Sequence, residues 1–259
     1  MEYDKRIKNL TALVIILTLM LLGCGVYIAF TRVPNCSNEN VTIDNEITDK
    51  ANTILNKISN VHEFLLTDTE LNDMPNQLKL DMAVFYFKDD KNGKYIDDYT
   101  SDEILSELKS IFGKDYSIKF ENIEQFFNND KDPSDPENDV YIYNNDTKKY
   151  TATENGQSID SLLVAIKNKL VDYKVLNNNE YLISYKELFY SYDWDNDGND
   201  IAIFYNANGD EIFQKKVDLN SKLTIDNSEF NKYIDKLNTT EYLFKLEDNN
   251  LILKKFTIK

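Results

Sequence analysis

The chain has 259 residues and sets 45 Asp and Glu against 29 Lys and Arg, a formal net charge of −16. A field of that sign repels nucleic acid, which sets nucleic acid aside as a partner and favours cations or basic partners. Hydrophobic residues make up 42% of the chain, with 17 Tyr and 14 Phe, enough for a packed core and too many for disorder throughout.

Residues 1–9 carry Lys5, Arg6 and Lys8 and read as a short cytoplasmic tail. The stretch that follows, LTALVIILTLMLLGCGVYIAF, holds no charge. At about 1.5 Å per helical residue it is long enough for a ~30 Å hydrocarbon core, so residues 10–31 are expected to form a transmembrane helix. The basic residues ahead of it and the acids Glu39, Asp44 and Glu46 after it orient the span with the N-terminus inside. The expected location is therefore the cell membrane, single-pass, with an extracytoplasmic C-terminal domain. Leu21-Leu22-Gly23-Cys24 also has the form of a bacterial lipobox, which leaves lipidation at Cys24 as an alternative attachment.

Residues 32–45 form a polar linker, and residues 46–259 an α+β domain, with any boundary between two subdomains near 130–140. Ile47, Ala51, Ile54, Leu55 and Ile58 recur at helical spacing. The run QLKLDMAVFYF fits both helix and strand, and helix is the better fit. Thr100 and Glu103 make a capping box for a helix lined by Ile104, Leu105, Leu108 and Ile111 and stopped by Gly113. A short helix is expected around Ile123, Phe126 and Phe127, ahead of the acidic loop NDKDPSDPEND.

Strands then take over. Residues 140–143 and 149–153 flank an Asn-Asp turn, residues 181–190 follow Asn177-Asn178-Asn179, and residues 201–205 and 211–217 meet at Asn208-Gly209. Asp226 and Glu229 cap a helix carrying Phe230, Tyr233 and Leu237. The chain closes on two strands around Asp248-Asn249-Asn250. Helices first and hairpins after predict helices packed on a mainly antiparallel sheet.

The sharpest chemical pattern is Asp193-Trp194-Asp195-Asn196-Asp197-Gly198-Asn199-Asp200. Carboxylates at positions 1, 3 and 5 and a glycine at 6 match the first half of a Ca²⁺ loop. The candidate metal ligands are Asp193, Asp195, Asp197, Asn199 and Asp200. Position 12 is Phe204 rather than a bidentate Glu, so an oxygen from elsewhere would have to complete such a site. Asn, Asp and Gly are equally ordinary turn residues between strands. The single histidine, His62, ends a helical pattern and reads as a surface or capping residue. With one histidine, HExxH-type sites are excluded, and Ser–His–Asp or Cys–His catalysis would rest on His62 alone.

The segments SELKSIFGKDYSIKF, NDVYIYNNDTKKYTAT and NTTEYLFKLEDNNLILKKFTIK resemble uncharacterised membrane-anchored extracytoplasmic proteins of low-GC Gram-positive bacteria and their wall-less relatives. The resemblance implies a bacterial extracytoplasmic setting and no activity for any residue. Together these features favour a non-enzymatic binding module engaging a protein or envelope polymer. A cell-envelope hydrolase using acidic residues or Ca²⁺ is the alternative.

Overall fold

Helix α1 (Asn45–Lys57) starts where Asp44 accepts hydrogen bonds from the backbone N–H groups of Glu46 and Ile47, at 2.9 and 3.3 Å. That cap satisfies donors a helix N-terminus leaves open. Ile47, Ala51, Ile54 and Leu55 then fall on one buried face. The computed structural model describes residues 44–88, 95–124, 139–153, 163–177, 179–219 and 221–259, all within the compact unit Ile43–Lys259.

Helix α2 (Asn76–Lys88) has no solvated stripe, because every residue from Leu78 to Phe87 is buried. Its apolar run serves a core on all sides. At 13 residues it spans about 20 Å, short of a bilayer's ~30 Å. The Lys79 ammonium donates to the carbonyls of Asn72 and Ser117. Burial, reinforced by the negative charge of Glu124, raises the Asp81 carboxyl to about 7. Helix α3 (Ser101–Phe112) carries the expected capping box. Thr100 N donates to Glu103 Oε2 at 2.8 Å, and Glu103 N donates to Thr100 Oγ1 at 3.3 Å.

Two antiparallel sheets follow. The smaller has the order β1–β2–β3 (Ile123–Glu124, Asp139–Asn144, Lys149–Ala152). Ile123 therefore begins a strand rather than the expected helix, and Phe126 and Phe127 lie outside the described residues. The larger sheet holds β4 (Val164–Asn177), β5 (Glu180–Trp194), β6 (Asp200–Tyr205), β7 (Glu211–Lys216), β8 (Thr239–Glu247) and β9 (Asn250–Ile258). Helix α4 (Asn227–Tyr233) connects β7 to β8.

The larger sheet is organised by β5. Along one edge it pairs with β4, from Asn177↔Glu180 to Val164↔Tyr190. Along the other edge, Glu180–Lys186 pair with β8 and Phe189–Trp194 pair with β6. Strands β6 and β8 thus abut on one edge of a longer neighbour, and the sheet forks at Glu187 and Leu188. Register breaks leave Ile166, Val171 and Leu176 of β4 outside its ladder with β5. Such bulges make an irregular edge that resists strand addition.

Each side of β5 faces its own core. Ile183 and Tyr185 join Tyr242, Phe244, Leu253 and Phe256 under α1, α2 and α3. Leu188 points to the opposite face, as strand alternation requires, and joins Ala202, Phe204, Ile225, Phe230 and Leu237 beside α4.

Among the described residues no helix is long and apolar enough to cross a membrane. The expected span at residues 10–31, the tail 1–9, most of the linker and Cys24 lie outside them. The single-pass reading is corrected here, and with it the membrane as partner and the cell-membrane location. The fold in evidence is α+β, helices against antiparallel sheet, and the most fully buried of the described helices, α2, is enclosed by the domain itself.

Gly113 ends α3 at φ 100°, and a Cβ there would lie 2.7 Å from Ile252 Cδ1 on β9. Gly113→Ala combines a disfavoured backbone with crowding. It is expected to lower stability by about 1–2 kcal/mol, read from the urea unfolding midpoint.

Candidate functional site

Beyond the fork, β5 continues to Trp194 and places Tyr190, Tyr192 and Trp194 on one face at alternate positions. Exposure rises along the row. Tyr190 is partly buried, Tyr192 is 39% exposed and Trp194 is 70% exposed. The Tyr190 and Tyr192 rings meet edge to face, with centroids 5.2 Å apart and planes at 80°. This is a favoured aromatic geometry and it makes a corner rather than a flat shelf. Tyr190 is backed by Phe204, which begins a nearly parallel stack with Phe213 and Tyr233 at 4.3 and 4.2 Å.

This corner forms part of a cleft of about 600 Å³ between the start of β4, the end of β5 and the extended segment leading into α4. Lys167 on β4 straps that segment down, donating from Nζ to the carbonyl of Ile225 at 2.7 Å. Asp226 caps α4 by accepting from Glu229 N at 2.8 Å, and this bond holds its carboxyl below the usual range. Lys222, Ser221, Thr224 and the exposed Leu219 complete the rim. The described lining contains two lysines and no carboxylate, on a chain of net charge −16.

In the acidic hairpin between β5 and β6, the Asp195 carboxylate is engaged by its own loop. Asp195 Oδ1 accepts from the backbone N–H groups of Asp197 and Asn199 at 2.9 and 2.8 Å, and from Asn199 Nδ2 at 2.9 Å. Its Oδ2 faces Asn199 Nδ2 at 2.8 Å and the Lys216 ammonium at 3.1 Å. These bonds, led by the Asn199 backbone, hold the Asp195 carboxyl far below its ordinary range. Asp193 pairs with Ile201, and Asp200 with Trp194, in the β5–β6 ladder. Gly198 takes φ 76° at the turn. The five residues read as candidate ligands are thus brought into one hairpin, with Asp195 engaged by its own loop. Among the described residues no three His, Cys, Asp or Glu side chains gather to hold a metal.

His62 is a buried residue rather than a surface one, at 8% exposure. Its ring lies against Phe189 and Phe256, with centroids at 4.4 and 5.5 Å. Nε2 has no hydrogen-bond partner among the described residues, and burial lowers the imidazole to about 4. No periodicity announced this, because the burying rings come from β5 and β9, far along the chain.

The His62 shift fixes a sign. The folded state holds His62 neutral down to about pH 4, whereas an unfolded histidine protonates near 6.5. Its contribution is complete above about pH 6.5 and is lost as pH falls towards 4. His62→Phe keeps a ring in the slot and cannot protonate. The stability difference between this variant and the wild type should therefore move in the variant's favour by about 3 kcal/mol over that window, read from urea unfolding at stepped pH.

Comparison with protein-family models, curated proteins and solved structures finds no match to this chain. The resemblance to membrane-anchored proteins of low-GC Gram-positive bacteria is corrected accordingly. Two of the three segments behind it are the β2–β3 and β8–β9 hairpins. Asn144 takes the N–H groups of Asp146 and Thr147 in one, and Asp248 and Asn249 adopt positive φ in the other. Those residues answer to turn chemistry, which unrelated chains share. What stands is an α+β domain of unassigned function, without evidence among the described residues for the membrane-anchored module or for the hydrolase using acidic residues or Ca²⁺.

Proposed function

We propose that the domain binds an acidic sugar residue of a glycan in the cleft at Tyr190 and Tyr192. The observation that carries this reading is the conjunction of an aromatic corner with two lysines and no lining carboxylate on a strongly acidic chain. A pyranose offers an apolar C–H face to a tyrosine ring and a hydroxyl-bearing edge to polar groups. One ring of the corner serves as floor and the other as wall. Ser221 and Thr224 supply hydroxyls at the rim, and an ammonium pairs with the sugar carboxylate. Concave sites of this size lined by aromatics and a few polar groups are the usual form of a small-ligand site.

Binding rather than cleavage follows from the same lining. Glycoside hydrolysis generally needs two carboxyl groups flanking the scissile bond, and the described lining has none.

Titration calorimetry with a short hexuronate oligosaccharide and its neutral hexose counterpart tests the proposal. The acidic oligomer is expected to bind more tightly, and more weakly as salt rises. Tyr192→Ala should weaken it tenfold or more, about 1.4 kcal/mol, and Lys222→Glu should erase the preference for the acidic form. Equal affinity for both oligomers, or no heat with either at millimolar concentration, would overturn the assignment.

A further inference from the structure

The fork in the larger sheet holds an ionisable group for which neither the fold nor the proposed binding reading has a use. The last β5–β8 pair is Lys186↔Thr239 and the first β5–β6 pair is Phe189↔Tyr205. Glu187 lies in the gap, with Asn168 of β4 opposite on its other edge. Its side chain points to the face that carries Tyr185 and Phe189. The residue is 3% exposed, and Tyr242 Oη donates to its Oε2 at 2.6 Å. No cation pairs with it among the described residues. The adjacent Lys186 faces the other way and gives its ammonium to the carbonyls of Ile234 and Leu237.

We infer that the fork is a pH-sensitive joint: loss of the Glu187 proton frees the ends of β6 and β8 from β5 at the fork and loosens the wall of the neighbouring cleft. A carboxylate enclosed with one hydrogen bond and no counter-charge is costly, whereas the neutral acid is tolerated there. Opening the fork admits water to the charge. The titratable groups facing Glu187 are Tyr185 from β5 and Tyr242 from β8, with His62 packed on the flanking rings of Phe189 and Phe256. The phenols stay neutral because burial and the Glu187 charge both raise them. Strand β4 presents Asn168, and β9 presents Phe256.

Burial pushes the Glu187 carboxyl from 4.5 up to about 7, with the Tyr242 hydroxyl bond pulling more weakly the other way. A carboxyl raised in the closed form contributes fully below about pH 4.5. That contribution is lost as pH rises towards about 7, and opening grows by up to roughly tenfold per pH unit in between. The joint does not depend on what the cleft holds, so its test uses no ligand.

Amide hydrogen exchange read by mass spectrometry on peptides of β5, β6 and β8, corrected for intrinsic pH dependence, measures the opening. In the wild type, opening is expected to rise up to about fortyfold between pH 5 and pH 7, with α3 peptides following less. Glu187→Gln should flatten the rise, and Asp81→Asn should leave it in place. Tyr242→Phe removes a bond that favours the charged form and should move the midpoint to higher pH. Wild-type protection that is constant across the window would overturn the inference, as would an unchanged rise in Glu187→Gln. Should that variant fail to fold, an unmoved midpoint in Tyr242→Phe overturns it equally.

Discussion

A strand of 15 residues cannot be covered on both edges by the shorter strands around it, and the architecture of this domain follows from how that shortage is met. At about 3.4 Å per residue β5 runs for about 50 Å. Strand β4 covers one edge for most of that length. The other edge is divided between β8 and β6, each satisfying backbone groups the other leaves open. Because side chains alternate, the two halves also serve different cores. Ile183 and Tyr185 lie under the helices, and Leu188 lies beside α4. Neither core is complete without the strand that it shares with the other.

The cleft and the buried ionisable groups are consequences of that division. Where β6 takes over from β8, Tyr190 and Tyr192 emerge from the second core, and the segment strapped by Lys167 closes the far side. At the junction itself Glu187 lies enclosed between the two ladders, and His62 fills the space against Phe189 and Phe256. Their contributions to stability run in opposite directions with pH. His62 favours the folded chain towards neutral pH, and Glu187 favours it towards acid, so between about pH 4.5 and 6.5 the two largely offset each other. Asp81 in α2, raised like Glu187, tips the balance towards the acid side.

Local signals in the sequence were legible wherever a single segment determines its own structure. The Thr100–Glu103 box, the Gly113 stop, the Asp226 cap and the Asn-rich hairpin turns depend on neighbours within a few residues, and each is found where spacing placed it. What escaped depends on distant partners. The β5–β8 pairing joins residues 53 to 65 positions apart, and no periodicity encodes it. His62 read as a helix-end residue because the rings that bury it belong to β5 and β9. Asp195 carries a spacing that turn-capping carboxylates and Ca²⁺ ligands share. Its acceptors are met by Asp197, Asn199 and Lys216. The aromatic row at Tyr190, Tyr192 and Trp194 was not singled out, because it bears on a cleft only once the segment at 221–225 stands opposite.

If β5 welds two cores into one cooperative unit, neither should melt alone while Glu187 is protonated. Equilibrium unfolding in urea at pH 5 tests this with two probes in different places. Fluorescence of the single tryptophan, Trp194, reports the far end of β5, and far-ultraviolet dichroism is dominated by the helices over the other core. The expected result is one transition with the same midpoint and slope from both signals. A fluorescence change completed at lower urea than the helical signal would mean that the β6–β7–α4 half unfolds by itself, and would contradict the account.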